Sequence, residues 1–166
     1  QNQLTVDAGA YKPATLGEFE EQHLNDKGQQ EAREPGIHDH TATLTGTDGL
    51  GNAVTLSQPT AGNGAYLFSG LVPGTYKVTF TGLPAGYVFT SQDVGSDSSD
   101  SDANTGSGMT GNYTLVSAQN QLTVDAGAYK PATLGDFVWD DLNGNGQQDA
   151  LEPGINGVTA TLTGTD

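Results

Sequence analysis

Residues 135–162 read GDFVWDDLNGNGQQDALEPGINGVTATL, and the rest of the fold can be built outward from them. The run at 134–139 is short, β-prone and apolar on both faces, which predicts a well-covered strand. After a polar loop, Val158, Ala160 and Leu162 alternate with threonines. They share one face of a second strand, because side chains along a strand repeat every two residues. The stretch therefore predicts two strands joined by a long loop rich in Asp, Asn and Gly.

Residues 119–166 repeat residues 1–48 at an offset of 118. The copies differ at 12 of the 23 positions from 18 to 40, here called the changed window, and are identical on either side of it. Such an offset is the length of one small domain. The sequence therefore predicts the last strand of a preceding repeat at 1–15, a full repeat at 16–133 with a divergent first part (16–48), and the first half of a further repeat at 134–166.

Short strands continue through the middle of the repeat. They are predicted at 53–56, 66–68, 75–80, 87–89, 113–115 and 122–124, with turns between them. The chain has 24 glycines and 7 prolines and almost no helix-forming stretch. About seven short strands at this spacing favour an all-β fold, an immunoglobulin-like sandwich of two sheets with prealbumin-like connectivity.

The charge balance restricts the partners. The formal net charge is −15, from 20 acidic residues against 5 basic ones. Such a polyanion repels nucleic acid and anionic membranes, whereas clustered carboxylates attract divalent cations. Cysteine is absent, which excludes disulfides and thiolate metal sites. No signal peptide or membrane span is evident, and since the chain begins on what looks like an internal strand, we expect a mature or excised piece of a longer protein.

Several motifs in order carry a family resemblance. The stretch at 135–162 is joined by YLFSGLVPGTYKVTF at 66–80, DSDAN at 100–104 and TVDAGAY at 123–129. Together they resemble the SdrD B-like repeats of bacterial surface proteins, relatives of the collagen-adhesin B domains. The resemblance implies a calcium-stabilised sandwich that serves as a stalk or spacer in large extracellular or cell-surface proteins. It does not by itself imply an activity.

The loop from Asp141 to Glu152 fits the pattern D-x-[DN]-x-[DN]-G-x5-E at every constrained position. Calcium takes six to eight hard oxygen ligands, and Gly146 permits the sharp turn that the loop needs. Magnesium suits a long flexible loop less well, because it demands stricter octahedral geometry. The alternative is an Asn/Gly-rich hairpin loop that only looks like a ligand set. The expected ligands are the side chains of Asp141, Asn143, Asn145, Asp149 (directly or through water) and Glu152, and the carbonyl of Gln147.

A second acidic cluster lies in a Ser/Gly-rich stretch and comprises Asp93, Asp97, Asp100 and Asp102, with Asn104 after them. Alone, such a run is usually a solvated loop. The family resemblance implies further calcium ions near its DSD segment, and Asp125 in the TVDAGAY motif could add an oxygen from a neighbouring strand. We therefore expect a second calcium site here.

The changed window alters both the loop and the strands. In the first copy His23, Lys27 and Glu31 replace the loop residues Asp141, Asn145 and Asp149, and a lysine is an electrostatic objection to a cation cage. Glu20, Glu21 and His40 replace the apolar Val138, Trp139 and Val158. If these positions are buried, each swap loses roughly 2–5 kcal/mol of packing and adds desolvation of a polar group. We expect the first copy to be a poor first and second strand for its own sandwich.

Three interpretations of the window remain open. In the first, the chain is an arbitrary slice of a tandem array and the window is a divergent segment. Alternatively, residues 134–166 of one chain complete the body formed by residues 49–133 of the next, displacing residues 16–48, and join copies head to tail into an open filament. In the third, His38, Asp39 and His40 form a transition-metal site, because alternate strand residues face one side.

Catalysis is not expected. The sequence holds no nucleophile with a paired base and no phosphate-binding loop, and calcium ligation accounts for its paired carboxylates. The Lys–Asn crosslink of the related collagen-adhesin domains is not expected either, because the first strand has no lysine. A ligand-binding adhesin that recognises a glycan or host protein is the alternative function, although the aromatic strand residues are more simply core residues. Asn112 begins the glycosylation pattern Asn112-Tyr113-Thr114.

Overall fold

A computed structural model describes residues 8–23, 28–30 and 34–164, without the side chain of Phe19. The chain divides into two compact units, Gln1–Pro131 and Ala132–Asp166, and each is considered by itself. In the described ranges the regular structure is all strand, with no helix. The substitutions at Lys27 and Glu31 fall outside the described residues.

The first unit holds nine strands among its described residues, against about seven expected. Two of them, β6 and β8, have only two residues each. The strands are β1 (Ala14–Gln22), β2 (Thr41–Asp48), β3 (Ala53–Pro59), β4 (Ala65–Leu71), β5 (Gly74–Thr81), β6 (Val88–Phe89), β7 (Tyr113–Leu115), β8 (Asn120–Gln121) and β9 (Ala126–Tyr129).

The strands form two sheets. One has the order β4-β1-β9-β6, with β8 also paired to β1, and the other has the order β3-β2-β5-β7. β1 runs antiparallel to β4 but parallel to β8 and β9, so the beginning of the repeat pairs with its end. This arrangement confirms the all-β sandwich.

Alternation along the strands builds the core between the sheets. In β5 every second residue is buried, namely Tyr76, Val78 and Phe80, and the intervening residues are more exposed. Burial of these faces removes apolar surface from water at about 25 cal/mol per Å². The other main members of the core are Leu16, Ala42, Leu44, Tyr66, Phe68, Leu115 and Val124.

The predicted strands at 53–56, 66–68, 75–80 and 113–115 are confirmed as parts of β3, β4, β5 and β7. The prediction at 122–124 is wrong, because β8 ends at Gln121 and β9 begins at Ala126. The intervening residues leave the ladder and carry Asp125 towards an acidic cluster described below. Of the strand predicted at 1–15, residues 8–13 are not in a strand and residues 1–7 lie outside the described ranges.

The first copy supplies β1 and β2 to the sandwich of its own chain, contrary to the expectation that it would be a poor strand pair. β2 pairs along its whole length with β5 and from Thr41 to Thr47 with β3. Within β1, Glu20 and Glu21 pair with Ala126 and Gly127 of β9. The polar substitutions are therefore accommodated inside the fold.

The second unit, residues 132–164, contains no strand, so the strands predicted at 134–139 and 158–162 are not formed in this chain. The physical reason is that no strand lies beside these residues within 132–164, and an isolated strand pair is only marginally stable.

The second copy nevertheless keeps backbone contacts that the first copy also makes. The amide of Ile155 donates to the carbonyl of Val138 at 2.9 Å, as the equivalent Ile37 donates to Glu20 at 2.7 Å. Trp139 forms a bridge with Gly154, and Glu21 forms the equivalent bridge with Gly36. The two copies thus share the same local backbone pairing although only one of them lies in a sheet.

Candidate metal sites and the changed window

The loop from Asp141 to Glu152 folds back on itself. The carboxylate of Asp141 accepts hydrogen bonds from the amides of Asn145 (3.2 Å) and Gly146 (2.8 Å). These backbone donors, Gly146 first, hold the pKa of Asp141 below its ordinary value. The carboxylate of Glu152 accepts from the amides of Leu142 and Asp149, both at 3.0 Å. The first and last predicted ligands therefore both turn inward.

The middle of this loop is held by side-chain amides. Both Asn143 and Asn145 donate from Nδ2 to Oδ2 of Asp149 at 2.8 Å. The amide of Gln147 donates to the side-chain oxygen of Asn145 at 2.6 Å. Gly146 has a φ of 74°, a left-handed conformation that a residue with a side chain rarely adopts. All six predicted ligand positions thus belong to one hydrogen-bonded network rich in hard oxygen atoms, which suits calcium.

The second predicted cluster is also assembled, in the first unit. Oδ2 of Asp102 accepts from the amide of Asp125 at 3.0 Å. Asp97 accepts from the hydroxyl of Thr123 at 2.8 Å. The residues between β8 and β9 therefore lie against the DSDAN loop, as expected from the resemblance.

Burial makes this cluster electrostatically unfavourable on its own. Desolvation raises the pKa of Asp125 to about 9, and the charges of Asp102 and Glu18 add to the shift. Desolvation raises the pKa of Asp102 to about 6, although a hydrogen bond from Tyr113 opposes it. Burial also raises the pKa of Asp100, whose Oδ1 has no hydrogen-bond partner among the described residues. A cation would relieve the repulsion among these carboxylates.

Glu18 was missed by sequence reasoning. Its Oε2 is buried without a hydrogen-bond partner in the described part of the chain, and its charge bears on Asp125. A signal was available, because the equivalent residue of the second copy is Asp136, so an acid is kept inside a window where most residues change.

Asn104 takes another role. Its side-chain oxygen accepts from the amides of Gly106 and Ser107 and from the Ser107 hydroxyl, at 3.1, 3.2 and 3.1 Å, so it stabilises its own turn. Across residues 8–23, 28–30 and 34–164, no three acidic or histidine side chains come together in the arrangement of a metal site. At both loops, nitrogen and hydroxyl donors of the protein occupy carboxylate oxygens.

Glu20 and His40 explain how the changed window fits into the core. Nδ1 of His40 lies 2.6 Å from Oε1 of Glu20, and the two residues are 3% and 0% exposed. Burial raises the pKa of Glu20, and the hydrogen bond and charge of His40 oppose this shift. The equivalent residues of the second copy are Val138 and Val158. Two substitutions that each look costly are therefore matched to each other.

Three other changes, at described positions of the window, are also accommodated. Gln30 donates a hydrogen bond to Oε1 of Glu21, the residue that stands in place of Trp139. The ring of His23 packs closely over Gly127 of β9, where an added Cβ would lie 2.2 Å from it. Asp39 has a φ of 64°, and the equivalent Gly157 has a φ of 79°, so the same turn is made in both copies.

The hypothesis of a transition-metal site at His38, Asp39 and His40 is wrong. The left-handed Asp39 interrupts the alternation before β2 begins. His38 is exposed and its Nδ1 lies 2.9 Å from Oδ2 of Asp39, whereas His40 is buried against Glu20. The two imidazoles therefore lie in different surroundings and do not share a site.

Two further predictions concern exposure. Asn112, the predicted glycosylation site, is exposed just before β7, and its modification stays a prediction. The aromatic residues Tyr66, Phe68, Tyr76 and Phe80 are buried, so they pack the core and do not form a binding patch. Tyr87, also expected in the core, is only half-buried and lies just before β6. None of the described segments is a helix with the length and apolar character of a membrane span.

A family model for the SdrD B-like domain matches residues 14–128 and matches again at residues 132–166. The chain belongs to the SdrD B-like domain family. This confirms the expected repeat and its place among the domains of bacterial cell-surface proteins. The SdrD B-like domain is a structural module and not an enzyme family, which confirms the expectation about catalysis.

Two relatives carry the same domain. Serine-aspartate repeat-containing protein D of Staphylococcus aureus (strain Newman) is 40% identical over 162 residues, which are 96% of this chain and 12% of that protein. Serine-aspartate repeat-containing protein C of the same strain is 40% identical over 156 residues, 93% of this chain and 16% of that protein. The chain thus spans only a small part of the length of these relatives.

Among solved structures, the group B streptococcus pilus 2b backbone protein matches with a TM-score of 0.33 and 12% identity. The match covers 72% of this chain and 41% of that protein, and it is too distant to bear on the function of this SdrD B-like chain.

Proposed function

We propose that this SdrD B-like chain is a calcium-stabilised structural spacer of an extracellular or cell-surface protein. The observation that carries the proposal is the carboxylate cluster formed by the buried Asp102 and Asp125 with the exposed Asp97 beside them. Burial and mutual repulsion raise the pKa of Asp102 and of Asp125. A calcium ion would neutralise this charge and take oxygen ligands from these side chains. It would thereby fasten the DSDAN loop to the segment between β8 and β9.

The loop from Asp141 to Glu152 would hold a second calcium ion through the oxygens of Asp141, Asn143, Asn145, Gln147, Asp149 and Glu152. The network of hydrogen bonds within this loop supports the proposal, because it already turns the predicted ligands inward. Calcium binding at both places would make each repeat of a tandem array more rigid, as a stalk requires.

Thermal unfolding in calcium and in EDTA tests this function. We expect calcium to raise the Tm of the chain, and Asp125→Asn to remove most of that increase. Asp48→Asn is the matched control, because Asp48 accepts hydrogen bonds from Leu50 and Asn52 within its own turn. The control should lower the Tm equally in calcium and in EDTA. Equal Tm values for the unmodified chain with and without calcium would contradict the proposal.

Head-to-tail joining of copies by strand donation is a second candidate function. The specific observation in its favour is that residues 132–164 keep the backbone closure of the first copy while their core-type side chains are exposed. Leu134 is 84% exposed and Leu162 is 78% exposed, whereas the equivalent Leu16 and Leu44 are fully buried. Because β1 and β2 are in place in the same chain, donation would proceed by displacing them from a second copy.

Disulfide trapping tests donation directly, since the chain has no cysteine of its own. Thr43 of β2 lies opposite Ser57 of β3, with their hydroxyls 2.9 Å apart, and Thr161 is the equivalent of Thr43 in the second copy. Chains with Thr161→Cys mixed with chains with Ser57→Cys should form a covalent dimer on mild oxidation. Thr163→Cys is the control, because its equivalent, Thr45, lies opposite Thr55. Equal cross-linking by Thr161→Cys and the control would exclude in-register donation.

A further inference from the structure

We propose that positions 20 and 40, with their equivalents 138 and 158, form a matching pair that makes the first two strands exchange between copies of this chain together and never singly. The inference rests on the strand donation proposed above and identifies the residues that decide which strands are compatible.

The Glu20–His40 pair lies between the two sheets. Glu20 lies on β1 of one sheet and His40 lies immediately before β2 of the other. Their 2.6 Å contact therefore joins the two sheets through the core. Any strand pair that fills the first two positions of the sandwich must bring compatible side chains to this contact.

Among the described residues that contact this pair, no titratable side chain could replace either partner. Thr60 binds the amide of His40 and the carbonyl of Ile37, Gly64 packs closely on the carbonyl of Glu20, and Ala126 pairs with Glu20 in β9. None of these residues is titratable. Among the described residues, His40 is the only charged group that shifts the pKa of Glu20.

Mixed pairs are therefore excluded by desolvation. If Val158 arrived without Val138, the carboxylate of Glu20 would remain buried without its imidazole. If Val138 arrived without Val158, His40 would lose its carboxylate in the same way. Removing one partner of a buried hydrogen-bonded pair is strongly destabilising, because the remaining polar group stays buried without compensation. Only the combinations Glu20 with His40 and Val138 with Val158 are compatible.

The direction of exchange follows from the quality of each pair. Oε2 of Glu20 is buried without a hydrogen-bond partner among the described residues, so the Glu20–His40 pair is incompletely satisfied. Two valines have no polar atoms to satisfy, and apolar replacement of a buried ion pair is often neutral or stabilising. The second copy is thus the better match for the body of the sandwich.

A second copy of this chain is the partner that fits. Residues 159–164 repeat residues 41–46 without change, so Ala160 and Leu162 reproduce the fully buried Ala42 and Leu44. Val138 and Val158 are 44% and 53% exposed, so their apolar surfaces are available. The same segment also keeps the hydrogen bond between Val138 and Ile155 that orders the equivalent segment of the first copy.

The yield of cross-links between Thr161→Cys chains and Ser57→Cys chains, both of full length, tests this matching rule. Further substitutions are placed only in the donor, at the exposed positions 138 and 158, where they leave the recipient sandwich intact. Val158→His alone and Val138→Glu alone should each lower the cross-link yield by at least about tenfold, because each creates a mismatched pair. The double substitution Val138→Glu with Val158→His should restore most of the yield.

The outcomes separate the two proposals. If single strands exchange, Val158→His alone raises the yield, because the new imidazole meets the recipient's Glu20, and the matching rule is overturned. If the cross-link yield is the same in all donor variants, the matching rule is overturned but strand donation is not. Absence of cross-links in every variant overturns donation and the rule together, whereas the calcium-dependent Tm tests the spacer function independently.

Discussion

The hydroxyl of Tyr113 lies 2.7 Å from Oδ1 of Asp102, and this hydrogen bond ties β7 of one sheet to the acidic cluster beside β9 of the other. The tyrosine donates to a carboxylate whose pKa is raised by burial to about 6. One bond therefore couples the joining of the sheets to the ionisation of the cluster.

Stability without calcium should fall as the pH rises from about 4 to about 9. The pKa of Asp125 is raised to about 9 and that of Asp102 to about 6 in the folded chain, so the folded state binds more protons than the unfolded state in this window. A carboxyl with a raised folded pKa contributes stability that is lost as the pH rises through that value. Urea unfolding in EDTA at several pH values measures the slope. Asp125→Asn should flatten it, and an unchanged slope in that variant would exclude Asp125 as the cause.

Tyr113→Phe should weaken calcium binding at the same cluster. Loss of the hydrogen bond raises the pKa of Asp102 further, since the bond from Tyr113 opposes the effect of burial. The variant should also lose about 1.5–3 kcal/mol of stability, as expected for a hydrogen bond to a charged group. Calorimetric titration measures the affinity. Thr75→Val on the neighbouring β5 is a control, and a weaker affinity in that variant would indicate a general loss of packing.

Glu20→Val and His40→Val should be strongly non-additive. Each single change leaves its partner buried without compensation and should cost about 3–5 kcal/mol. The double variant restores the apolar pair of the second copy and should range from neutral to about 4 kcal/mol more stable than the unmodified chain. A double-mutant cycle by urea unfolding measures the coupling. Additive single effects would mean that the contact between the two residues contributes no coupling.

Gly36→Ala should destabilise the first unit by about 1–3 kcal/mol or more, as expected for overpacking. A Cβ there would lie 1.9 Å from the backbone carbonyl oxygen of Asn63, which has little freedom to move. The equivalent Gly154→Ala is the matched control, since the atom nearest its Cβ belongs to the side-chain ring of Phe137, 2.7 Å away in the second unit. Hydrogen exchange of β2 and β5 amides measures the first unit alone. Equal effects of the two substitutions would contradict this assignment.

Asn145→Lys should abolish calcium binding at the loop from Asp141 to Glu152. The change introduces the residue found at the equivalent position of the first copy and places a positive charge among the predicted oxygen ligands. Trp139 is the only tryptophan, so tryptophan-sensitised terbium luminescence reports on this loop. Asn156→Lys adds the same charge outside the loop and should leave the signal largely intact. A comparable loss in both variants would point to a general charge effect.

Strands in which apolar and polar residues alternate clearly could be predicted from the sequence. In β5, for example, the spacing of Tyr76, Val78 and Phe80 indicates one buried face, whichever strands pair with it. The absence of a strand at 122–124 could not, because Val124 is buried although it lies outside the ladder. The partnership of Glu20 with His40 also escaped prediction. Read singly, each residue is a polar group in a core position, and only the three-dimensional contact shows that one compensates the other. The acidic cluster could be predicted from its motif, but the position of Glu18 beside it could not, because only the folded chain brings β1 beside the residues around Asp125.

The parallel pairing of Thr15 with Asn120 and of Glu20 with Ala126 has a consequence for biosynthesis. These contacts join residues more than about one hundred positions apart, and such high contact order slows folding. When a repeat array is synthesised and exported from its beginning, β1 of each sandwich cannot be enclosed until the last strands of that sandwich have been made. The growing end of the array therefore carries one unfinished sheet at any moment, and the segment most exposed to mispairing with a neighbour moves along the chain until synthesis is complete.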